Sequence, residues 1–429
     1  MTITVYPPYG ATVNNAFYAQ FGGSTVDAFG RLRVTSPFTL FDSQNRFAAD
    51  NQYSYVTDTG GSTTFNTNKS SVNLDVTTTS GSTVLAQTFR VFPYQPGKGL
   101  LTLQTFTMAA AKTNLVQRVG YYGAQNGVYL EQGANGVTFV IRTYTGGSVD
   151  NSRYVAQANW NGDKLNGTGP SGVTLDLTKT QILWFDFEWL GVGNVRCGFV
   201  VNGQFIVCHT FQNANFGTTV YMQTAILPLR LEITNTGVTA SNSTLQMICS
   251  SVQSEGGYEQ TSQVFTARRT DDGKSIANNT GLTFTPLVSI RVNSSYYGAI
   301  VIPQGILFHP TATGSTGYEV VLVRDATLTG ATWGSTIAGG QVDVDVAATA
   351  MTATADNIIQ SSFSSQSAQS TDTAVVPTGY NFDIQIGYPA SLSGNGFASS
   401  QTYTLGVRGL NNSPTGSGTG AISLYNLTV

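Results

Sequence analysis

WNGDKLNGTGPSGVTLDLTKTQILWFDFEWLGVGNVRCGFVVNGQFIVCHTF, residues 160–211, decides the fold class. Gly and Asn break it into apolar runs of strand length, and no helical period runs through it. Trp184-Phe185-Asp186-Phe187-Glu188-Trp189 alternates with period two. Leu183, Phe185, Phe187 and Trp189 therefore share one face, and Asp186 and Glu188 share the other. Val201-Asn202-Gly203-Gln204 follows, an Asn-Gly pair between β-branched and aromatic runs. It suits a type I′ hairpin turn, whose two central residues both need positive φ. The stretch predicts antiparallel β-structure.

A two-residue loop at Asn202-Gly203 pairs Val201 with Gln204, Val200 with Phe205, Phe199 with Ile206 and Cys197 with Cys208. Both faces are then largely apolar, which predicts a central sheet position covered on both sides, as in a sandwich or at a subunit interface. The two cysteines fall at a hydrogen-bonded pair, where Cα atoms lie about 5.5 Å apart. A bridge there is strained, so two free thiols are expected.

Working outward, strand-like runs recur between turn signals: Val84 to Val91, Val116 to Tyr122, Val128 to Glu131, Val137 to Tyr144, Leu229 to Asn235 and Leu245 to Val252. Asn126-Gly127 and Asn135-Gly136 add tight-turn candidates. This spacing predicts a β-sandwich over 46–256. Residues 1–45 lack sustained strand runs and read as an extended arm laid on another surface. Phe29, Leu32, Val34, Phe38 and Phe41 would be its anchors. A polar stretch, 257–281, reads as a linker to a smaller sandwich over 282–429, where Val288, Ile290 and Val292 alternate with Ser289, Arg291 and Asn293. Ser361 to Ser370, nearly all Ser and Gln, reads as a surface loop. The expected architecture is all-β: two antiparallel, jelly-roll-like sandwiches behind an arm.

Composition agrees. Only 10% of the 429 residues are charged, against a usual quarter, while 41% are hydrophobic and Gly numbers 47. Aromatic content of 11% and a net charge of −3 argue against disorder. A low-charge surface of hydroxyl and amide residues suits close packing against other subunits, or is simply a Thr-rich β-surface. Helix prospects are poor, with Thr107 to Leu115 the best candidate. MTITVYPPYG does not read as a secretory signal, and no run reaches membrane-span length, which predicts synthesis in the cytoplasm and no membrane partner. Three cysteines imply no disulfide framework.

The chemistry is sparse. Asp186 and Glu188 sit two apart beside Trp184. A sandwich with acids on one face resembles the glycoside hydrolases of family sixteen, with their Glu-x-Asp-x-x-Glu or Glu-x-Asp-x-Glu strand. On that resemblance Asp186 would be the central Asp and Glu188 the general acid. Trp184 then stands where the nucleophile should be, so one of the two carboxylates needed is missing. His209 and His309 lie far apart, and no Gly-x-Ser-x-Gly surrounds a serine. Gly97-Lys98-Gly99 is not a phosphate loop. Asp271-Asp272-Gly273 and Asp343-Val344-Asp345 fall short of the oxygens Ca²⁺ wants. Scattered Arg on a slightly acidic chain argues against nucleic acid. No catalysis, metal or cofactor is expected. The alternative reading is a glycan-binding module, with Trp160, Asp163, Trp184, Asp186 and Glu188 stacking on and bonding to sugar.

DAFGRLRVTSPFTLFDS (27–43), residues 169–211, FTPLVSIRVNSSYYGAIVIP (284–303) and VLVRDATLTGATW (321–333) resemble, in order, structural proteins of tailed bacteriophages, frequent among marine and cyanobacterial phages. The resemblance implies a concanavalin A-like first domain and a place in the virion, assembled after synthesis in the host cytoplasm. It implies a capsid-decorating or head-fibre role acting through assembly contacts, with a tail or tail-fibre component that binds host-surface glycan as the alternative and a hydrolase third. Partners would be other virion proteins and copies of itself, with a trimer as the form suggested by analogy.

Overall fold

The computed structural model describes residues 37–259, 263–269, 273–293, 300–311, 316–334, 341–367, 370–371, 374–377, 402–410 and 416–427. The chain divides into two compact units at Tyr258/Glu259, with the short segment Phe89–Val91 grouped with the second. Both are antiparallel β. Among the described residues the one helical element is the three-residue 3-10 turn Gln157–Asn159. Among the described residues no helix is long and apolar enough to cross a membrane.

Among its described residues the first unit holds fifteen strands. They are β1 (Phe38–Gln44), β2 (Tyr53–Asp58), β3 (Ser62–Asn66), β4 (Ser71–Val76), β5 (Thr83–Thr88), β6 (Gly99–Thr107), β7 (Leu115–Tyr122) and β8 (Gly127–Gly133). Then come β9 (Gly136–Thr143), β10 (Asp150–Ala156), β11 (Gln181–Phe187), β12 (Val195–Val201), β13 (Gln204–Phe211), β14 (Leu229–Asn235) and β15 (Ser243–Glu255). One sheet runs β13-β12-β11-β6-β15-β4-β3, with β1 also on β15. The other runs β10-β9-β8-β7-β14-β5-β2. Their inner faces share one core: Phe139 of β9 packs edge-on to Phe185 of β11 at 6.0 Å, and Tyr121 of β7 lies 5.4 Å from Phe187. This is a β-sandwich, the apolar alternate residues of each sheet buried against the other.

The Asn202-Gly203 turn forms as the spacing requires, with φ of 52° and 73° and Val201 opposite Gln204. The register slips at the far end. Gly198 pairs with Val207, and a bulge at Cys208 then places Cys197 opposite His209 rather than Cys208. A bulge inserts one residue into one strand, and period-two counting has no means of seeing it. Cys197 and Cys208 are both buried free thiols, and burial pushes both well above the usual thiol range. The hairpin is not central either: β13 is the outermost strand. Its edge is covered by its own chain, because Gly162 N–H donates to Cys208 C=O (2.9 Å) and Asp163 N–H to Val207 C=O (3.0 Å). That loop explains an edge strand with two apolar faces.

The extended arm does not reach residue 45. Phe38–Gln44 is a sandwich strand paired with β15, from Phe38 opposite Ser254 to Gln44 opposite Cys249. Phe41 is 3% exposed and lies 4.9 Å from Phe92, so it anchors its own domain's core. Phe38 stays 46% exposed and stacks on Tyr258. Phe29, Leu32 and Val34 lie outside the described residues. Thr107 to Leu115 forms no helix. Instead the Gln117 side chain bonds both the N–H and the C=O of Ala109, at 2.8 and 3.0 Å, as a strand partner would.

The second unit begins inside the stretch expected to be a linker. There β16 (Gln263–Arg268) and β17 (Lys274–Ile276) both pair with the strand Gly416–Leu427. Two sheets share a core in which Ile290, Val320 and Leu405 meet Ile306, Phe308 and Ile422. Ser361 to Ser370 is no loop over most of its length: Ile358–Ser367 is a strand laddered onto Thr316–Arg324, whose Val320 and Leu322 are buried. The buried partner holds a polar strand that propensity alone would not.

Candidate functional site

The residues singled out from the sequence are brought together in part, and they are buried. Trp160 is 2% exposed and stacks on Phe139 at 4.6 Å inside the core. Asp163 accepts backbone N–H bonds from Leu165 (2.9 Å) and Ser171 (2.7 Å), closing its loop. Burial works to raise its carboxyl, but those bonds outweigh it and hold the group below the usual range. Neither residue is placed to receive a sugar.

Trp184, Asp186 and Glu188 do share the outward face of β11 and its continuation, yet they too are covered. Trp184 lies over β12 because its direct partner there is Gly198, where an added Cβ would come 2.7 Å from the indole. Its other flank meets Phe205 edge-on at 5.6 Å. Asp186 is fully buried in an ion pair: Arg196 Nε donates to its Oδ2 at 3.0 Å and Arg196 Nη2 donates to the same oxygen. Directly opposite strand positions impose this pairing. The acids are therefore buried structural groups rather than solvated ones.

The remaining candidates separate. His209 and His309 fall in different units. His209 accepts the Asn161 N–H at Nδ1 (3.3 Å), and burial, helped by the charge of Arg153, pulls it down to about 4. Asp343 pairs with Arg291 (3.1 Å) and Asn293 (2.7 Å). Asp345 accepts backbone N–H bonds from Thr332, Ala347 and Ala348. Both carboxylates are engaged by protein donors, the Arg291 guanidinium among them. Asp271 and Asp272 lie outside the described residues.

Two features escaped the sequence. The outward face of the second sheet carries Arg118 between Glu131 and Glu232, each 2.7 Å away, and Arg230 2.9 Å from Glu232. Arg142 and Arg230 lie over the ring of Tyr122, each at 5.3 Å. Arg118 is directly opposite Glu131 on β8 and Glu232 on β14, so the pairs exist only once three strands are in register. Burial works to raise Glu232, but Arg230 and Arg118 outweigh it and push it down to about 2, from 4.5. Because the folded carboxyl is the stronger acid, its stabilisation is present above pH ~4.5 and is lost as pH falls toward 2. Glu232→Gln is thus expected to lower stability at neutral pH by about 3 kcal/mol and to flatten its decline in acid. Denaturant titrations of both proteins from pH 7 to pH 2 check this, and parallel pH profiles would contradict it.

The other feature is an open groove of about 550 Å³ on the outward face of the β13-to-β3 sheet. Its lining is Lys69, Ser71, Thr107, Thr178, Thr180, Thr244, Gln246 and Ile248. Ser71 precedes the inward Val72, Thr107 follows the inward Phe106, and Thr244 and Gln246 flank the inward Leu245, so strand alternation turns these polar side chains outward. The turn before β4 and the loop before β11 form the walls. Ser71 Oγ and Thr107 Oγ1 are buried beneath the groove and hold no protein hydrogen bond among the described residues. β15 supplies three of the lining residues at strand spacing, Thr244, Gln246 and Ile248, the other segments supply one or two each, and nothing in the sequence marks them as a set.

No protein-family model matches the chain, and no curated protein does. Solved structures resemble its β-sandwich at low identity. A Bacillus licheniformis beta-glucanase is 12% identical, TM-score 0.32, covering 52% of this chain and 100% of its own. A GH16 protein of the Bacteroides ovatus mixed-linkage glucan locus is 10% identical, TM-score 0.34, covering 50% and 99%. Peanut lectin is 11% identical, TM-score 0.30, covering 51% and 98%. Glucanases thus stand beside a lectin among these sandwiches. The expectation of a chain without catalysis is corrected accordingly, since hydrolysis is found on folds of this kind. A likeness of this size is one of fold and assigns neither activity to this chain.

Proposed function

We propose that this chain is an exposed virion component of a tailed bacteriophage whose first sandwich binds host-surface glycan. The observation that carries the glycan half is the groove: open, of small-ligand size, and lined by five hydroxyl side chains (the oxygens of Ser71 and Thr107 buried beneath it), an amide and an ammonium over one aliphatic side chain. Groups that donate and accept hydrogen bonds at close spacing match a ligand made of hydroxyls. The virion half rests on the phage-like segments and the low charge density. Tail or tail-fibre placement suits a host-contacting part better than a purely decorative one.

The test pairs two measurements. Purified protein should bind glycans of the host envelope on an array, and antibody against it should label intact particles in electron micrographs. Labelled particles without any glycan binding would leave an assembly role alone. Glycan binding by a protein absent from particles would end the virion reading.

A further inference from the structure

The groove is electrically polarised, and the polarity specifies its ligand. Lys69 is the one charged side chain in the lining. It is exposed on the turn between β3 and β4, and among the described residues its hydrogen bonds run through its backbone N–H to Asn66. At the other end Thr244 donates its hydroxyl to Asp75 Oδ1 at 2.5 Å. Ser71 and Asp75 stand on one face of β4, roughly 13 Å apart. Between these ends lie Gln246 and the hydroxyls of Ser71 and Thr107, which are buried beneath the groove surface and have no protein partner among the described residues. A change of χ1 from one staggered rotamer to another would bring either hydroxyl up to a ligand.

We infer that the groove takes an acidic oligosaccharide, its carboxylate toward Lys69 and its neutral hydroxyls toward Thr244 and Asp75. This rests on the glycan reading above. Reversed binding would set the carboxylate beside Asp75, where like charges repel, and would leave Lys69 unused. A neutral sugar would satisfy the hydroxyls but not the ammonium. Trp160, Asp163, Trp184, Asp186 and Glu188 take no part, being covered elsewhere in the sandwich.

The experiment uses the full chain on an array in which each acidic oligosaccharide is printed beside its carboxyl-reduced form. The acidic member should bind about three-fold tighter or more, with the advantage shrinking as salt rises. Lys69→Met should erase that advantage while keeping the weaker binding of the reduced form. Thr180→Trp, at an exposed position on the groove wall, should abolish both. Equal binding of the two forms, lost in Thr180→Trp, would overturn the acidic preference and leave the glycan reading standing. Binding untouched by Thr180→Trp would remove the groove as the site. Silence across the array would end the glycan reading itself.

Discussion

Arg196→Met is expected to destabilise the first sandwich by about 3–5 kcal/mol, the cost of leaving a buried charge without its partner. Asp186 is fully buried, and both Arg196 bonds converge on one of its oxygens. Without the guanidinium the carboxylate loses the charge that offsets its burial. Replacing both residues removes the stranded charge, so Arg196→Met with Asp186→Leu should recover most of the loss. For a domain of this size the single change corresponds to roughly 6–20 °C in Tm. Thermal melts of the two variants decide the matter. A single variant within ~2 °C of the parent would mean that the ion pair is not what makes Asp186 tolerable there.

Phe185→Ala should cost a similar amount, about 3–5 kcal/mol, through a different mechanism. Phe185 is buried where the two sheets meet, against Phe139 of the opposite sheet, which itself stacks on Trp160. Deleting the ring opens a cavity that two laddered sheets cannot close, because each is held by its own hydrogen bonds. Phe185→Leu should be far milder. Urea unfolding followed by tryptophan fluorescence reads both, and a loss below ~1.5 kcal/mol for the alanine variant would contradict the shared core.

The fold class was legible in residues 160–211 because period-two alternation and the Asn-Gly turn are local signals. Their inward face, Leu183, Phe185 and Phe187, is the inward face of the structure. What counting could not see was non-local. The slip at Cys208 depends on how β13 meets β12, and the cover over the edge of β13 comes from a loop about 45 residues earlier in the chain. Asp186 and Glu188 read as candidate sugar-bonding groups because alternation puts them opposite the core, and alternation says nothing about what covers the far face. The groove was illegible for the same reason. Its residues come from β4, β6, β15 and two loops, and each is an unremarkable Thr, Ser or Gln until the sheet aligns them. Phe41 was misread because a short strand with one bulge between Thr39 and Phe41 lacks a clean period.

The pairing of β1 with β15 also governs the order of events during synthesis. Phe38 lies opposite Ser254, so the first described strand waits for the last strand of its sandwich before it can be laddered. Until about two hundred further residues have left the ribosome, Leu40 and Phe41 have no sheet to enter, and the edge of the nascent sheet stays open. Contacts of such sequence separation slow folding, since the loop they close must be ordered before they contribute. The sandwich therefore closes late and all at once. A chain arrested before residue 243 should hold its N-terminal segment accessible to protease, whereas one extended past residue 258 should protect it.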